Sequence, residues 1–317
     1  MPSCNLSDDT LRIFREVQSF FRLPSVGLVE KDLHVVRVIA ALAGLDAAPF
    51  DLVFGGGTAL ARAHRLVRRM SEDVDFKIVS RAAAPVSRSA LRRQLDGLRP
   101  RVSAALQAAG FAFDPADKAV TWARDEGHYA VWQLPYPSDS GARDGLRPTI
   151  KVELTHAPLR RVAVRLPVRS FVAEATRKPP EVPELACVSV VETAAEKLVS
   201  LTRRTAMEVA GTSRDPDATL VRHIYDLHMM RERVDPTAVA ELARQIAEAD
   251  ARQFIHQHPA YAADIAGETR KALDALRTDP LHRARYSAFV AAMVYGDRVD
   301  FSVAMKTILV RARDLAQ

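Results

Sequence analysis

The run "DVDFKIV" (73–79) sets two carboxylates, Asp73 and Asp75, one residue apart in a strictly alternating frame. Val74, Phe76 and Ile78 fall on one face and Asp73, Asp75 and Lys77 on the other, the period of a half-buried strand. Residues two apart on a strand point the same way, about 6.5–7 Å apart at Cα. Carboxylates so placed make a hard oxygen site suited to Mg²⁺, which keeps waters and takes further ligands from substrate phosphates. Upstream, "FGGGT" (54–58) follows a short apolar run. Glycines let backbone N–H groups approach a phosphate chain closely, and a helix expected from about Ala59 to Val67 adds a favourable N-terminal dipole. Taken singly, these pieces read as an ordinary turn and a solvated strand face. Their order, with Ser71 two residues before Asp73, predicts a site for a metal-bound nucleoside triphosphate.

Two further places carry groups of the right kind. Lys197, Ser200 and Arg204 fall at i, i+3 and i+7, one stripe of a helix, and a cationic stripe can offset charge on a triphosphate. The plainer reading of "EKLVSLTRR" is a solvated face with Lys197 outside. Glu153, in "TIKVEL", shares a strand face with Thr149 and Lys151 and by itself reads as a strand-surface acid. Weaker candidates are His64, read as a packing or surface histidine, and Lys31 and Asp32, read as helix-face residues supporting the fold. Trp122, Tyr129 and Trp132 are core or strand-face aromatics before they are a stacking platform. "HQHP" (256–259) has no metal-ligand spacing.

The elements that must hold these groups divide the chain. Residues 6–22, 30–44 and 87–109 read as helices, and "HYAVWQL", "TIKVEL" and "VAVRLPV" as strands. "TRKPPEVPEL" (176–185) reads as a proline-rich linker. Beyond it the pattern is helical over 189–208, 217–232, 236–254, 262–277, 281–294 and 301–316. The expectation is α+β, with an α/β lobe over 1–180 and an all-helical lobe over 186–317. The 317 residues are 48% hydrophobic and 26% charged, ordinary for a globular protein. No apolar run has the length of a membrane span, the start lacks a signal-peptide layout, and Cys4 and Cys187 form no disulfide framework, so a cytoplasmic protein without a membrane partner is expected. The net charge of +6, with arginine in excess of lysine, fits either a compositional habit or a phosphate-rich partner.

"GGGTALARAHRLVRRMSEDVDF" resembles the first motif of the AbiEii/AbiGii-type toxins, the MenT-like branch of the DNA polymerase β-like nucleotidyltransferases. "VEKDLHVVRVIAAL" (29–42) resembles the family's leading helix, "AAEKLVSLTRR" (194–204) its lysine/arginine helix and "RHIYDL" (222–227) its Arg-Asp-x-x-Asp segment. The resemblance implies a polymerase-β-like lobe with a mixed sheet, followed by a helical lobe that brings Lys197 and Asp226 to a cleft. It implies Gly56, Gly57, Thr58 and Ser71 at the nucleotide phosphates with Lys197 beside them, and the helix stripe adds Arg204. Asp73 and Asp75 match the metal ligands, Lys197 the catalytic lysine and Asp226 the later aspartate, and Glu153 is the candidate for the third carboxylate, a base or third ligand, that such proteins carry on a neighbouring strand. The activity implied is Mg²⁺-dependent (or Mn²⁺-dependent) transfer of NMP from NTP, by the toxin of a toxin–antitoxin or abortive-infection pair. The implied partners are RNA, a tRNA 3′ end before others, and a cognate antitoxin. A protein acceptor, or a catalytically dead nucleotide- or RNA-binding module, are the alternatives. Two departures stand out: His223 occupies the place of the segment's first acid, and the spacer from Thr58 to Asp73 is slightly long, lengthening a helix or its exit loop.

Overall fold

A computed structural model describes residues 8–82, 86–138, 140, 145–213 and 216–317. The chain forms two compact units, one of Met1–Arg65 with Met70–Val188, the other of Leu66–Arg69 with Ser189–Gln317. The first carries a mixed sheet with helices and the second is helical, an α+β architecture.

The sheet unit opens with α1 (Asp8–Phe21) and α2 (Val26–Ala43), then β1 (Phe50–Gly55), α3 (Gly56–Arg62) and β2 (Asp73–Ser80). It continues through α4 (Arg88–Ala108), β3 (Thr121–Arg124), β4 (Tyr129–Pro135), β5 (Thr149–His156), β6 (Val164–Val168), α5 (Phe171–Ala175) and β7 (Val182–Cys187). The described strands form one sheet in the order β3-β4-β5-β2-β1-β7-β6. β2 runs antiparallel to β1 and parallel to β5, so it lies centrally, with its apolar phase buried. Val74, Phe76 and Ile78 join Phe54, Val152 and Leu154 in a core closed by Val36, Ile39 and Leu42 of α2 and Leu98, Val102 and Leu106 of α4. Each such fully buried side chain contributes about 1.5–3 kcal/mol. Ser25 starts α2 by accepting the Gly27 N–H, satisfying an amide the helix itself leaves unpaired.

Two expectations are corrected. The stretch read as a linker contains β7, which pairs with β1 in parallel and β6 in antiparallel. Pro183 lies in the β6–β7 register irregularity, where a missing N–H donor is tolerated, so its proline-rich composition disguised a strand. The helix expected over 59–67 ends at Arg62. Arg65 turns with φ +57°, and the next four residues belong to the helical unit. The long spacer is therefore an exit segment with its own packing.

The helical unit holds α6 (Val190–Val209), α7 (Arg222–Met230), α8 (Pro236–Gln253), α9 (Pro259–Ala263), α10 (Ile265–Thr278), α11 (Pro280–Met293) and α12 (Phe301–Arg311). α6 is its hub, packing on α7, α8 and α10. Segment 66–69 is fastened into the unit. Arg69 bridges Val294, and the Tyr295 and Gly296 amides donate to the Arg68 carbonyl at 3.0 and 3.1 Å.

Candidate active site

In the sheet unit the glycine turn and the aspartate pair meet at one place. Gly55 ends β1 opposite Asp75 of β2, and Gly56 begins α3 with φ +70°. A Cβ on Gly56 would stand 1.9 Å from Asp75 Oδ2, so both backbone and space admit glycine alone. Thr58 is buried, and its hydroxyl donates to the Asp73 carbonyl, tying α3 to the first residue of β2. Asp73 and Asp75 lie in the outward phase of β2, beside Lys151 and Glu153 of β5. Ser71 is half-buried just before the strand.

A network behind the pair was missed in the sequence. Glu72 lies out of phase with Asp73, toward the core, where it meets the fully buried Lys31 of α2 at 2.5 Å. Lys31 also donates to the carbonyls of Arg147 and Thr149, at 2.7 and 3.1 Å, so burial lowers its pKa but the ammonium is fully partnered. The Arg147 amide donates to Glu72 at 2.8 Å, and its guanidinium reaches Asp73 Oδ1 at 2.7 Å. Asp32 pairs with Arg62 at 2.7 Å and accepts the Phe171 amide at 2.6 Å; burial nonetheless pushes its pKa up to about 6. Lys31 and Asp32 are thus buried supports of the site. The available signal was a Glu-Lys-Asp triplet in a largely apolar helix, together with an acid one residue before β2 in the phase of its apolar residues. Each needs a buried counter-charge.

Glu153 accepts the Tyr129 hydroxyl and lies 2.9 Å from Lys151 Nζ. Burial and the adjacent carboxylate push the Tyr129 pKa far up, so it remains a donor. Among the described residues no three Asp, Glu, His or Cys side chains converge as a metal cluster. The two-aspartate donor set, completed by water and phosphate oxygens, still fits Mg²⁺. Trp132 is a core residue donating to Ser103 Oγ at 2.9 Å, while Trp122 packs on Tyr129 and under Arg124. His64 contacts the Val188 carbonyl at 2.9 Å, a packing histidine whose pKa burial lowers.

In the helical unit Lys197 turns inward. Its Nζ lies 2.8 Å from Asp226 Oδ2, and Asp226 is wholly buried. Arg69 takes the same carboxylate with both ends of its fork, Nε to Oδ1 at 2.6 Å and Nη2 to Oδ2 at 2.7 Å. Burial opposes ionisation of Asp226, but Arg69 and then Lys197 outweigh it and hold its pKa well below the carboxylate range. Burial lowers the Lys197 pKa; Asp226 opposes this and Arg69 reinforces it. His223, beside them, is buried with Nδ1 unbonded among the described residues, and burial keeps it neutral. Arg204 is not in this cluster; it pairs with Asp217 at 3.0 Å.

The family model "Nucleotidyl transferase AbiEii toxin, Type IV TA system" matches residues 40–307, and the chain belongs to that family. Among solved structures, the fold is similar to MenT4, a nucleotidyltransferase toxin from Mycobacterium tuberculosis H37Rv, with a TM-score of 0.51 and 16% identity over 96% of this chain and 89% of that one. No curated protein matches the sequence. The protein is a nucleotidyltransferase toxin of a type IV toxin–antitoxin system, a membership that brings an NTP substrate and a cognate antitoxin. Among the described residues no helix is long and apolar enough to cross a membrane.

Proposed function

We propose that the protein transfers NMP from NTP to an RNA 3′ end, a tRNA acceptor end before others, with Mg²⁺, or Mn²⁺ in its place, held by Asp73 and Asp75. The observation that carries this reading is the seat of Gly56 against Asp75, which joins the expected phosphate turn to the expected metal strand. Gly56, Gly57 and the backbone of Thr58, with Ser71, hold the triphosphate; the Thr58 hydroxyl, committed to the Asp73 carbonyl, fixes the strand instead. When bound, the metal supplies electrostatic stabilisation of the phosphates and the attacking oxygen.

The acceptor hydroxyl oxygen bonds to the α-phosphorus, and the bond from that phosphorus to the β-phosphate oxygen breaks. Pyrophosphate leaves with the electron pair. Glu153, beside Asp75 in the sheet register and oriented by Tyr129 and Lys151, receives the hydroxyl proton. Lys197, aligned by Asp226, offsets the charge that develops on the phosphates. Arg204, tied to Asp217, is assigned no step. The net charge of +6 supports an RNA acceptor, since RNA is held largely through its phosphates and 2′-hydroxyls.

The test is to incubate the protein with each α-labelled NTP and total RNA. Label should enter RNA of tRNA size and disappear when the 3′-terminal hydroxyl is blocked. Label on protein that survives complete ribonuclease digestion would replace the RNA acceptor with a protein one.

A further inference from the structure

Segment 66–69 reaches the helical unit from the exit of α3 and carries one charged side chain into its interior, Arg69, which is 2% exposed. That side chain meets the carboxylate already paired with Lys197, so Asp226 carries two cations. The fork of Arg69 takes both oxygens, which fixes the plane of the carboxylate, whereas Lys197 holds Oδ2 alone. The contact is over-determined on the Arg69 side. Arg69 bridges Val294, its neighbour's carbonyl takes two amides, and its guanidinium lies 5.9 Å from the Phe289 ring.

We propose that Arg69 is a positioning residue for the transfer reaction, aligning Lys197 through the Asp226 carboxylate they share. Asp226 is shared between two buried cations, so Lys197 holds one oxygen of a carboxylate whose orientation Arg69 sets. Without Arg69, Lys197 becomes the main counter-ion of a buried carboxylate free to rotate, and it is drawn onto both oxygens. Arg69 lies four residues before Asp73, so one short stretch of chain carries both a tie to the lysine and the first of the paired aspartates. This inference rests on the role proposed for Lys197.

The test compares Arg69→Gln and Arg69→Lys with the wild type, using melting, transfer kinetics and NMR of ¹³C-labelled lysine side chains. The charged and titratable groups acting on Lys197 are Asp226, Arg69, Arg222 and the neutral His223. Removing the guanidinium leaves the Asp226 attraction unshared, so the Lys197 side-chain resonance, assigned by its loss in Lys197→Met, should titrate at higher pH in Arg69→Gln. Transfer should fall about ten- to a hundredfold in kcat, the range of one charge-assisted hydrogen bond, with little change in KM for NTP. Arg69→Lys, which restores charge but not the fork, should recover the titration in part and keep a reduced kcat. If Arg69→Gln melts too low to study, Arg69→Lys supplies the same comparison. An unmoved Lys197 resonance with unchanged kcat would overturn the proposal. So would a kcat loss with that resonance unmoved, which marks a merely structural role. The NMR arm needs no turnover, so a wild type that fails to transfer refutes the proposed function without deciding this one.

Discussion

Gly56→Ala isolates the joint between the phosphate turn and the metal strand. At φ +70° an alanine costs about 1–2 kcal/mol in backbone strain. Its Cβ would also stand 1.9 Å from Asp75 Oδ2, against 3.4 Å for ordinary contact, so the carboxylate must swing by about 1.5 Å. A misplacement of about 1 Å at a catalytic group costs on the order of a hundredfold. The variant should therefore lose at least about a hundredfold in kcat while its melting temperature falls by only roughly 2–8 °C, at 2–4 °C per kcal/mol for a unit of this size. Gly211→Ala is the control. Its φ is +67° with nothing within 4 Å of a Cβ, so it incurs similar strain without the clash and should keep full activity. The assay is incorporation of labelled nucleotide per folded molecule, with melting in parallel. Activity of Gly56→Ala within about twofold of Gly211→Ala would refute the reasoning, since the Asp75 contact would then be of no consequence.

Asp73→Asn and Asp75→Asn should each cost at least about a thousandfold in transfer with the fold intact; more than a tenth of wild-type activity in Mg²⁺ would sink the metal assignment. Lys31→Met takes from Glu72 its closest cation, leaving Arg147 at 3.4 Å, and should cost about 3 kcal/mol, the low end for a broken buried pair, read as a melting shift of roughly 6–12 °C; a shift under about 2 °C would contradict the network. Asp32 has its folded pKa raised to about 6, so its contribution to stability is full below the ordinary carboxylate pKa and is lost as pH rises through about 6. Melting curves of wild type and Asp32→Asn should thus show the wild type losing ground to the variant between about pH 4 and 6, and parallel curves would refute it. Gly296→Ala puts a Cβ 2.4 Å from Arg68 Cβ, so it should dislodge segment 66–69 and lower kcat as Arg69→Gln does; unaltered kinetics would count against the segment's role.

The aspartate pair was legible because a strand's period of two leaves only one arrangement for Asp73, Asp75 and the apolar residues between them. The glycine turn was legible for a related reason, since few residue types tolerate the backbone it needs. Partners distant in sequence were not. Lys31 and Glu72 are 41 residues apart, and Arg69 and Asp226 are 157 apart. Local periodicity carries no record of which buried charges meet. β7 was hidden because Pro183 interrupts the alternation of Val182, Leu185 and Cys187, although a bulged pairing accommodates it. The inward turn of Lys197 was equally invisible, because an i, i+3, i+7 stripe reads the same whether it faces solvent or a buried acid.

Because segment 66–69 belongs to the helical unit, the chain crosses between its two units three times, and no single cut yields both of them whole. The order of synthesis gives this a time scale. Asp226 leaves the ribosome 157 residues after Arg69, which at about 5–20 residues per second is roughly 8–30 s later. Through that interval the sheet unit can form its strands, but Val67 and Arg69 have nowhere to bury. The stretch that ends in Asp73 reaches its native setting only when α7 and the residues around Val294 have been made. A nascent chain stalled or truncated before that point therefore displays the glycine turn and both aspartates with their upstream strap still loose. The packing partners of the connector between α3 and β2 are thus the last of its neighbours to be synthesised.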